Sequence, residues 1–260
     1  MDTSSHLNLF NLHIIGVQKA GTTALAHFLN QHPDVYVADH KEAHVFDHPD
    51  FSDSKDKTAF AHHRYNAKLT NYQDQAIRCD ATPITAFRTE YLQACYQYNP
   101  EAKFIILLRD PIERAASHYR MSLSRGQEHR TMLGAFLLEP FRLMGIKKSG
   151  PWGFDDPYRH HSYLRRGCYA AQLKRVLAII PRQQLLVLHQ EDLQQNHEHV
   201  LHQIFEFIGV TPVNVPAQQV YVGNKLKPRM SDALAKFYAK CYFSLRKENI
   251  TRWQRILDKR

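Results

Sequence analysis

The residues Gly16-Val17-Gln18-Lys19-Ala20-Gly21-Thr22-Thr23 bring together what is needed to hold an oxyanion. Two glycines allow a tight turn, a lysine lies inside it, and paired hydroxyls follow where a helix would start. Free N–H groups at a helix start and a nearby cation then face the same anion. The two glycines keep the spacing of a Walker A loop. That loop has its lysine directly after the second glycine, whereas here Thr22 stands there and Lys19 lies between the glycines. A strand-to-helix turn with a solvated lysine could use the same letters. The strand before and the helix after favour the phosphate or sulfate site.

A second candidate is His40-Lys41-Glu42-Ala43-His44-Val45-Phe46-Asp47. A hydroxyl is a poor nucleophile until a base takes its proton, and a carboxylate beside a lysine can be held ready for that. On its own, Glu42 next to Lys41 reads more simply as an exposed charged turn. The third is Phe104 to Tyr119, FIILLRDPIERAASHY. Arg109 leaves the end of an apolar run, and its planar fork of donors suits phosphate. Ser117 lies two helical turns on and offers a hydroxyl. Arg109 paired with Asp110 or Glu113, and Ser117 as a tolerated helix residue, is the equal alternative.

Together these motifs resemble the sulfotransferases that use 3′-phosphoadenosine 5′-phosphosulfate (PAPS), in the branch of the heparan sulfate enzymes and their bacterial relatives. GxxKAGTT resembles the family's 5′-phosphosulfate loop. KExHxFD resembles the segment carrying its catalytic glutamate, with Val45 in place of a phenylalanine. LLRDPxERAxSHY resembles its 3′-phosphate motif. The resemblance implies Glu42 as general base, with Lys19 on the leaving phosphate–sulfate bridge and Lys41 on the sulfuryl oxygens. It implies Thr22, Thr23 and the amides around Ala20 and Gly21 on the 5′-phosphate, and Arg109 and Ser117 on the 3′-phosphate. His44 and Asp47 would orient Glu42 or the acceptor. Weaker matches are Arg166-Gly167-Cys168-Tyr169 with Gln172-Leu173, and LLVLHQEDL. Lys227-Pro228-Arg229 falls where the family closes a lysine-glycine loop on the 3′-phosphate. Proline offers no N–H, so Arg229 would have to supply contacts beside Lys227. The known heparan enzymes of this branch are anchored in the Golgi membrane. No anchor is legible here, so no acceptor is carried over.

The elements that must position these groups follow from hydrophobic patterning. Short apolar runs at 12–15, 35–37, 76–79, 104–108 and 185–188 read as strands. The run at 104–108, Phe-Ile-Ile-Leu-Leu, is typical of a strand buried on both faces. Helical patterns fall at 22–31, 85–98, 111–123, 169–180 and 196–208, with Asp110 and Pro111 opening the third and Gly209 closing the last. A C-terminal helix from Ser231 is expected to pack through Phe237, Tyr238 and Leu245. This alternation predicts an α/β fold with a central, mainly parallel sheet flanked by helices, similar to the P-loop nucleotide-kinase type. One domain over residues 1–260 is expected. Residues 124–166 show little periodicity and several glycines and prolines, and read as an acceptor-side insertion or lid. Trp152, Phe154 and Tyr158 lie there beside Arg159, Arg165 and Arg166.

The chain has 260 residues, 43% hydrophobic and 23% charged, enough to bury a large core without disulfides or metals. Its four cysteines form no CxxC pair, so they read as ordinary thiols of a reducing compartment. No leader and no spanning segment is legible, which predicts a soluble, cytoplasmic protein. A net charge of +9 calls for an anionic partner. The 17 histidines include no convincing zinc set, and the lysines supply the charge, so no metal is required. The expected partners are PAPS and a small-molecule or carbohydrate acceptor hydroxyl, less readily an amine, and no nucleic acid. Two rivals remain: a P-loop small-molecule kinase, and a non-catalytic protein that binds anionic polymer.

Overall fold

The computed structural model describes residues 9–145, 153–154, 156–220 and 230–258. Strand β1 (Leu12–Gly16) is buried throughout and turns into helix α1 (Thr22–Leu29). Strand β2 (Val35–Val37) is followed by helices α2 (Pro49–Asp53) and α3 (Lys57–Asn66), then by strand β3 (Ile77–Asp80). Helix α4 (Thr89–Tyr98) precedes strand β4 (Lys103–Leu108), and α5 (Pro111–Ser124) leaves it. Helices α6 (Met132–Arg142), α7 (Pro157–His161) and α8 (Tyr169–Ile179) come before strand β5 (Leu185–His189). Helices α9 (Gln190–Gln195), α10 (His197–Ile208), α11 (Met230–Leu245) and α12 (Ile250–Leu257) complete the described chain.

The sheet has five strands in the order β2-β3-β1-β4-β5, and every neighbouring pair is parallel. Parallel strands need crossovers, which place helices over both faces. That is why β1 and β4 are apolar runs rather than alternating patterns. The chain puts β2 and β3 on one side of β1, then crosses to β4 and β5 on the other. The end of β1 therefore opens into the crevice where ligands of open α/β sheets bind.

Asp110 accepts from the amides of Ile112 (3.0 Å) and Glu113 (2.8 Å), with Pro111 at the first helical position, as its type predicts. The pattern read as one helix over 85–98 is broken. Thr85–Phe87 is a 3₁₀ turn, and Arg88 is extended (φ −119°, ψ 130°) before α4 begins.

The little periodicity read over 124–166 conceals two helices among the described residues: α6 and α7 lie there, and Met132, Ala135, Phe136 and Tyr163 are buried in a second apolar cluster with Ala115, Ala116 and Tyr119 of α5. Buried Glu128 ties the segment together, accepting from the Tyr163 hydroxyl (3.0 Å) and from Arg142. Trp152 lies outside the described residues.

The C-terminal expectation also needs correction. Helix α11 packs through Ala235, Ala239 and Phe243, with Tyr238 only partly buried, while Phe237 and Leu245 face outward. Phe243 sits so close to Gly167 that a Cβ there would lie 2.6 Å from its ring, so the glycine is required by contact. No helix among the described residues is long and apolar enough to cross a membrane.

Candidate functional site

The loop between β1 and α1 stands at the crevice. Gly21 lies at φ +95°, a conformation that favours glycine, and it precedes a helix with no side-chain cap and no acid in its first turn. The first amides of α1 are thus left for an external acceptor, and no acid of the helix's own first turn repels an anion there. A Cβ at Gly21 would meet Gln190 and Leu107 within 4 Å, so β4 and the start of α9 wall the loop. Arg109, at the end of β4, donates through Nη1 to the Lys19 carbonyl at 3.0 Å, and Arg166 Nη1 donates to Gln18 Oε1 at 2.6 Å.

Lys19 itself is half-buried among cations. Burial, then the charges of Arg125, Arg109, Lys41 and Arg114, lower its pKa. Arg114 is fully buried. Its Nη2 donates to the Tyr163 carbonyl, and its Nε and Nη1 are buried without a partner. Such a group repels itself and is best neutralised by a ligand carrying several negative charges.

The second motif folds against the first. Lys41 Nζ lies 2.7 Å from Glu42 Oε1, 3.4 Å from Thr22 Oγ1 and 3.3 Å from Thr23 Oγ1. One ammonium therefore joins the loop hydroxyls to the candidate base. His44 Nε2 is 3.3 Å from the other Glu42 oxygen, and His44 Nδ1 is 2.8 Å from Asp47 Oδ2. Arg159 of α7 completes the chain at 2.7 Å from the same Asp47 oxygen. Burial alone would lower the His44 pKa, but the hydrogen bonds to Asp47 and Glu42 raise it to about 9. Burial alone would raise that of Glu42, yet His44 and Lys41 hold it below its ordinary value. The same balance of burial against His44 and Arg159 lowers Asp47. Lys19 (φ 73°), Lys41 (φ 70°) and His44 (φ 49°) all adopt the left-handed conformation, rare for such residues and concentrated where structure fixes side chains for function.

Asp80, at the end of β3, anchors this segment and was not singled out in the sequence. Its oxygens accept from the Ala43 amide (3.1 Å), Thr82 Oγ1 (2.7 Å) and the Tyr65 hydroxyl (3.0 Å). Ala81 N donates to the Lys41 carbonyl at 3.0 Å. Burial raises the Asp80 pKa. The available signal was an acid at the carboxyl end of a strand, where such folds place their sites. Arg125 and Gln18 were missed as well, for lack of any local pattern.

The structure thus brings Lys19, Thr22, Thr23, Lys41, Glu42, His44, Asp47 and Arg109 into one contiguous group, with Ala20 and Gly21 in the loop. Ser117 is half-buried on α5, beyond Arg114, and is not linked to that group by a direct hydrogen bond to those residues. Lys227 and Arg229 lie outside the described residues. Beside Arg109, a cavity of about 600 Å³ opens between the start of α5, the end of β5 and the turn from α11 to α12, with His189 and Trp253 in its wall. Beyond Glu42, the half-exposed ring of Phe154 stands edge-on to His44 (5.6 Å) and His48 (5.6 Å). The Arg159 guanidinium covers it at 4.8 Å.

Comparison with known proteins points the same way as the geometry. The model of the sulfotransferase domain matches residues 11–255. Human heparan sulfate glucosamine 3-O-sulfotransferase 3B1 is 29% identical over 197 residues, covering 76% of this chain and 45% of its own length. Rat carbohydrate sulfotransferase 15 is 24% identical over 252 residues, covering 78% and 44%. The chain thus spans about half the length of these curated relatives, 45% of the first and 44% of the second. Among solved structures, a sulfotransferase from Alicyclobacillus acidocaldarius superposes with a TM-score of 0.68 at 24% identity, covering 95% of this chain and 99% of its own. The sulfotransferase domain of the curacin biosynthetic pathway gives 0.52 at 15% identity, covering 96% of each chain. These likenesses establish the parallel α/β fold.

Proposed function

This chain belongs to the sulfotransferase family, and on that premise we propose that it transfers a sulfuryl group from PAPS to an acceptor hydroxyl, with Glu42 as general base. PAPS supplies an activated sulfuryl group and a bisphosphate leaving group. The residues present suit it: uncapped amides and two hydroxyls at the start of α1, and a cluster of cations around Lys19. Ala20, Gly21, Thr22 and Thr23 would hold the 5′-phosphate. Arg109 and Ser117 would hold the 3′-phosphate, and the cavity beside Arg109 is large enough for a nucleoside. Lys227 and Arg229 keep the role that the resemblance gives them.

The observation that carries this reading is the placement of Lys41 between Glu42 and the loop hydroxyls. In the chain alone, His44 and Lys41 together hold the carboxylate ionised. An anion on the loop competes for the same ammonium, and each share it takes leaves Glu42 a stronger base. Binding of the donor and readiness of the base are then coupled through one side chain. Glu42 takes the acceptor proton, while Lys19 and Lys41 stabilise charge on the bridging and equatorial oxygens. His44, fixed by Asp47, orients the carboxylate. The reading of 124–166 as the acceptor side is supported by Arg159, which reaches Asp47, and by Phe154, which reaches His44.

The acceptor class that the relatives' names print, a glucosamine unit of heparan sulfate, is a candidate substrate and no more. The test is a titration of adenosine 3′,5′-bisphosphate against ATP with magnesium. It is followed by incubation with labelled PAPS, an acceptor panel that includes N-sulfated heparan oligosaccharides, and host extract. Preferential bisphosphate binding and transfer of label are expected. Tighter binding of magnesium ATP would favour the kinase reading and overturn this one.

A further inference from the structure

Arg166 joins the acceptor-side segment to the phosphate loop through one buried guanidinium. It comes from the 3₁₀ turn Arg165–Gly167 that follows α7. Its Nε donates to Ser162 Oγ at 2.8 Å, and its Nη2 donates to the Arg159 carbonyl at 2.9 Å. Its Nη1 donates to Gln18 Oε1 at 2.6 Å, across 148 residues of chain. A guanidinium is planar and rigid, so these three directions are fixed relative to one another, which an ammonium could not achieve. Its face covers the ring of Phe87 at 4.7 Å, and Phe87 in turn stacks on Tyr158 of α7 at 5.7 Å.

The turn that carries Arg166 is held by the helices around it. Arg114 of α5 donates to the Tyr163 carbonyl, and buried Glu139 of α6 accepts from the Leu164 amide at 2.6 Å, the other end of the same peptide unit. Glu139 also accepts from the Arg165 amide at 2.8 Å, and Gln172 of α8 donates to the Arg166 carbonyl at 2.9 Å. The base of the Arg166 side chain is therefore fixed, and its head is what ties α7 to the loop. Both of the residues it ties are placed for chemistry. Arg159 offers its carbonyl to Arg166 and its guanidinium to Asp47 at 2.7 Å, which holds His44. Gln18 stands next to Lys19, whose carbonyl accepts from Arg109. On the sulfuryl-transfer reading above, we propose that Arg166 is a positioning residue that couples the two substrate sites: a loop filled by the donor fixes Gln18, Gln18 fixes Arg166, and Arg166 sets Arg159 on Asp47. An anion on the amides and hydroxyls of residues 20–23 orders the loop, and a bond to an ordered acceptor restrains its donor more than a bond to a moving one. Linkage makes the effect reciprocal, so an acceptor held against Arg159 tightens the hold on the donor.

Hydrogen exchange of the full chain, free and saturated with adenosine 3′,5′-bisphosphate, reads this coupling at residues 16–25 and 157–167. In the wild type both segments should slow when the nucleotide binds. Gln18→Met keeps the length of the side chain and removes the acceptor for Arg166. Its loop should still slow at saturation, while the nucleotide-dependent slowing of 157–167 should shrink by at least ~threefold, as loss of a charge-assisted hydrogen bond implies. Gln18→Glu gives Arg166 an acceptor again and should recover the slowing, which a glutamine serving only to fill space would not require. Arg166→Lys keeps the charge without the three directions and should uncouple the segments as Gln18→Met does. Because it also loosens buried contacts, the Gln18 pair decides the matter if it unfolds. Slowing of the loop with none at 157–167 in the wild type overturns the coupling and leaves the donor reading standing. Full slowing of 157–167 in Gln18→Met overturns it equally. No bisphosphate binding and no slowing in either segment would overturn the donor reading, and the coupling with it.

Discussion

His44 offers a direct test of the electrostatics around the candidate base. Its ring lies 2.8 Å from Asp47 and 3.3 Å from Glu42, and its pKa is raised from 6.5 to about 9. A histidine whose pKa is higher in the folded than in the unfolded chain favours folding while it stays protonated. That contribution is complete below about pH 6.5 and disappears as pH rises through about 9. At ~1.4 kcal/mol per pH unit the interval amounts to about 3 kcal/mol. The side chain is 32% exposed and water screens part of the interaction, which brings the expectation to roughly 1–2 kcal/mol.

The perturbation is His44→Gln, which keeps a polar side chain of similar reach and removes the charge. Urea unfolding of both proteins at about pH 6 and about pH 10 gives the comparison. The wild type should exceed the variant by roughly 1–2 kcal/mol at the lower pH, and the gap should nearly close at the higher. Titration of the His44 ring by NMR should place its midpoint near 9. A midpoint near 6.5, or a stability gap independent of pH, would refute the reasoning and leave His44 a neutral packing residue.

Other outcomes follow from the same geometry. Glu42→Gln should lower turnover by roughly 10²–10⁴-fold in a labelled-PAPS assay while bisphosphate affinity, read by calorimetry, stays within about threefold. Arg109→Ala should remove most of the preference for adenosine 3′,5′-bisphosphate over AMP, about 1.5–3 kcal/mol by the same method, because a charge-assisted contact is lost. Asp80→Ala strands the Ala43 amide and the Tyr65 and Thr82 hydroxyls in a buried site. At about 1–3 kcal/mol for each unsatisfied group, it should cut stability by at least ~2 kcal/mol in urea unfolding, with loss of turnover.

Much of this site was legible because its signals are local. The loop from Gly16 to Thr23 declares itself through a strand, glycines and a helix start, all within a few residues. The strand at 104–108 and the cap at Asp110 are set by apolar runs and by the chemistry of Asp-Pro. Where sequence reading failed, the deciding contact was one that hydrophobic periodicity does not encode. Arg88 breaks a helical pattern because its side chain is drawn in against Tyr91 and Glu90. The pattern of 132–142 was obscured by Gly134 and Pro140 and by an outer face as apolar as the inner one. On α11 both sides carry hydrophobic residues, so periodicity alone chose Phe237 and Leu245 where the core took Ala235, Ala239 and Phe243.

Asp47 shows why the residues of a site can be named in sequence before their roles can be assigned. In sequence it is one more acid three residues after His44. In the fold it is almost fully buried, and one of its oxygens meets both the His44 ring and the Arg159 guanidinium. Arg159 comes from α7, within the segment proposed to face the acceptor, and its guanidinium covers Phe154. A movement of that segment which draws Arg159 away would leave Asp47 paired with His44 alone and strengthen the hold of His44 on its proton. A movement toward Asp47 would do the reverse and return part of the Glu42 charge to the acceptor side. Lys41 links the same carboxylate to the phosphate loop. Glu42 is therefore poised between two cationic partners, each tied to a different half of the proposed reaction: Lys41 to the donor, and His44, through Asp47 and Arg159, to the acceptor.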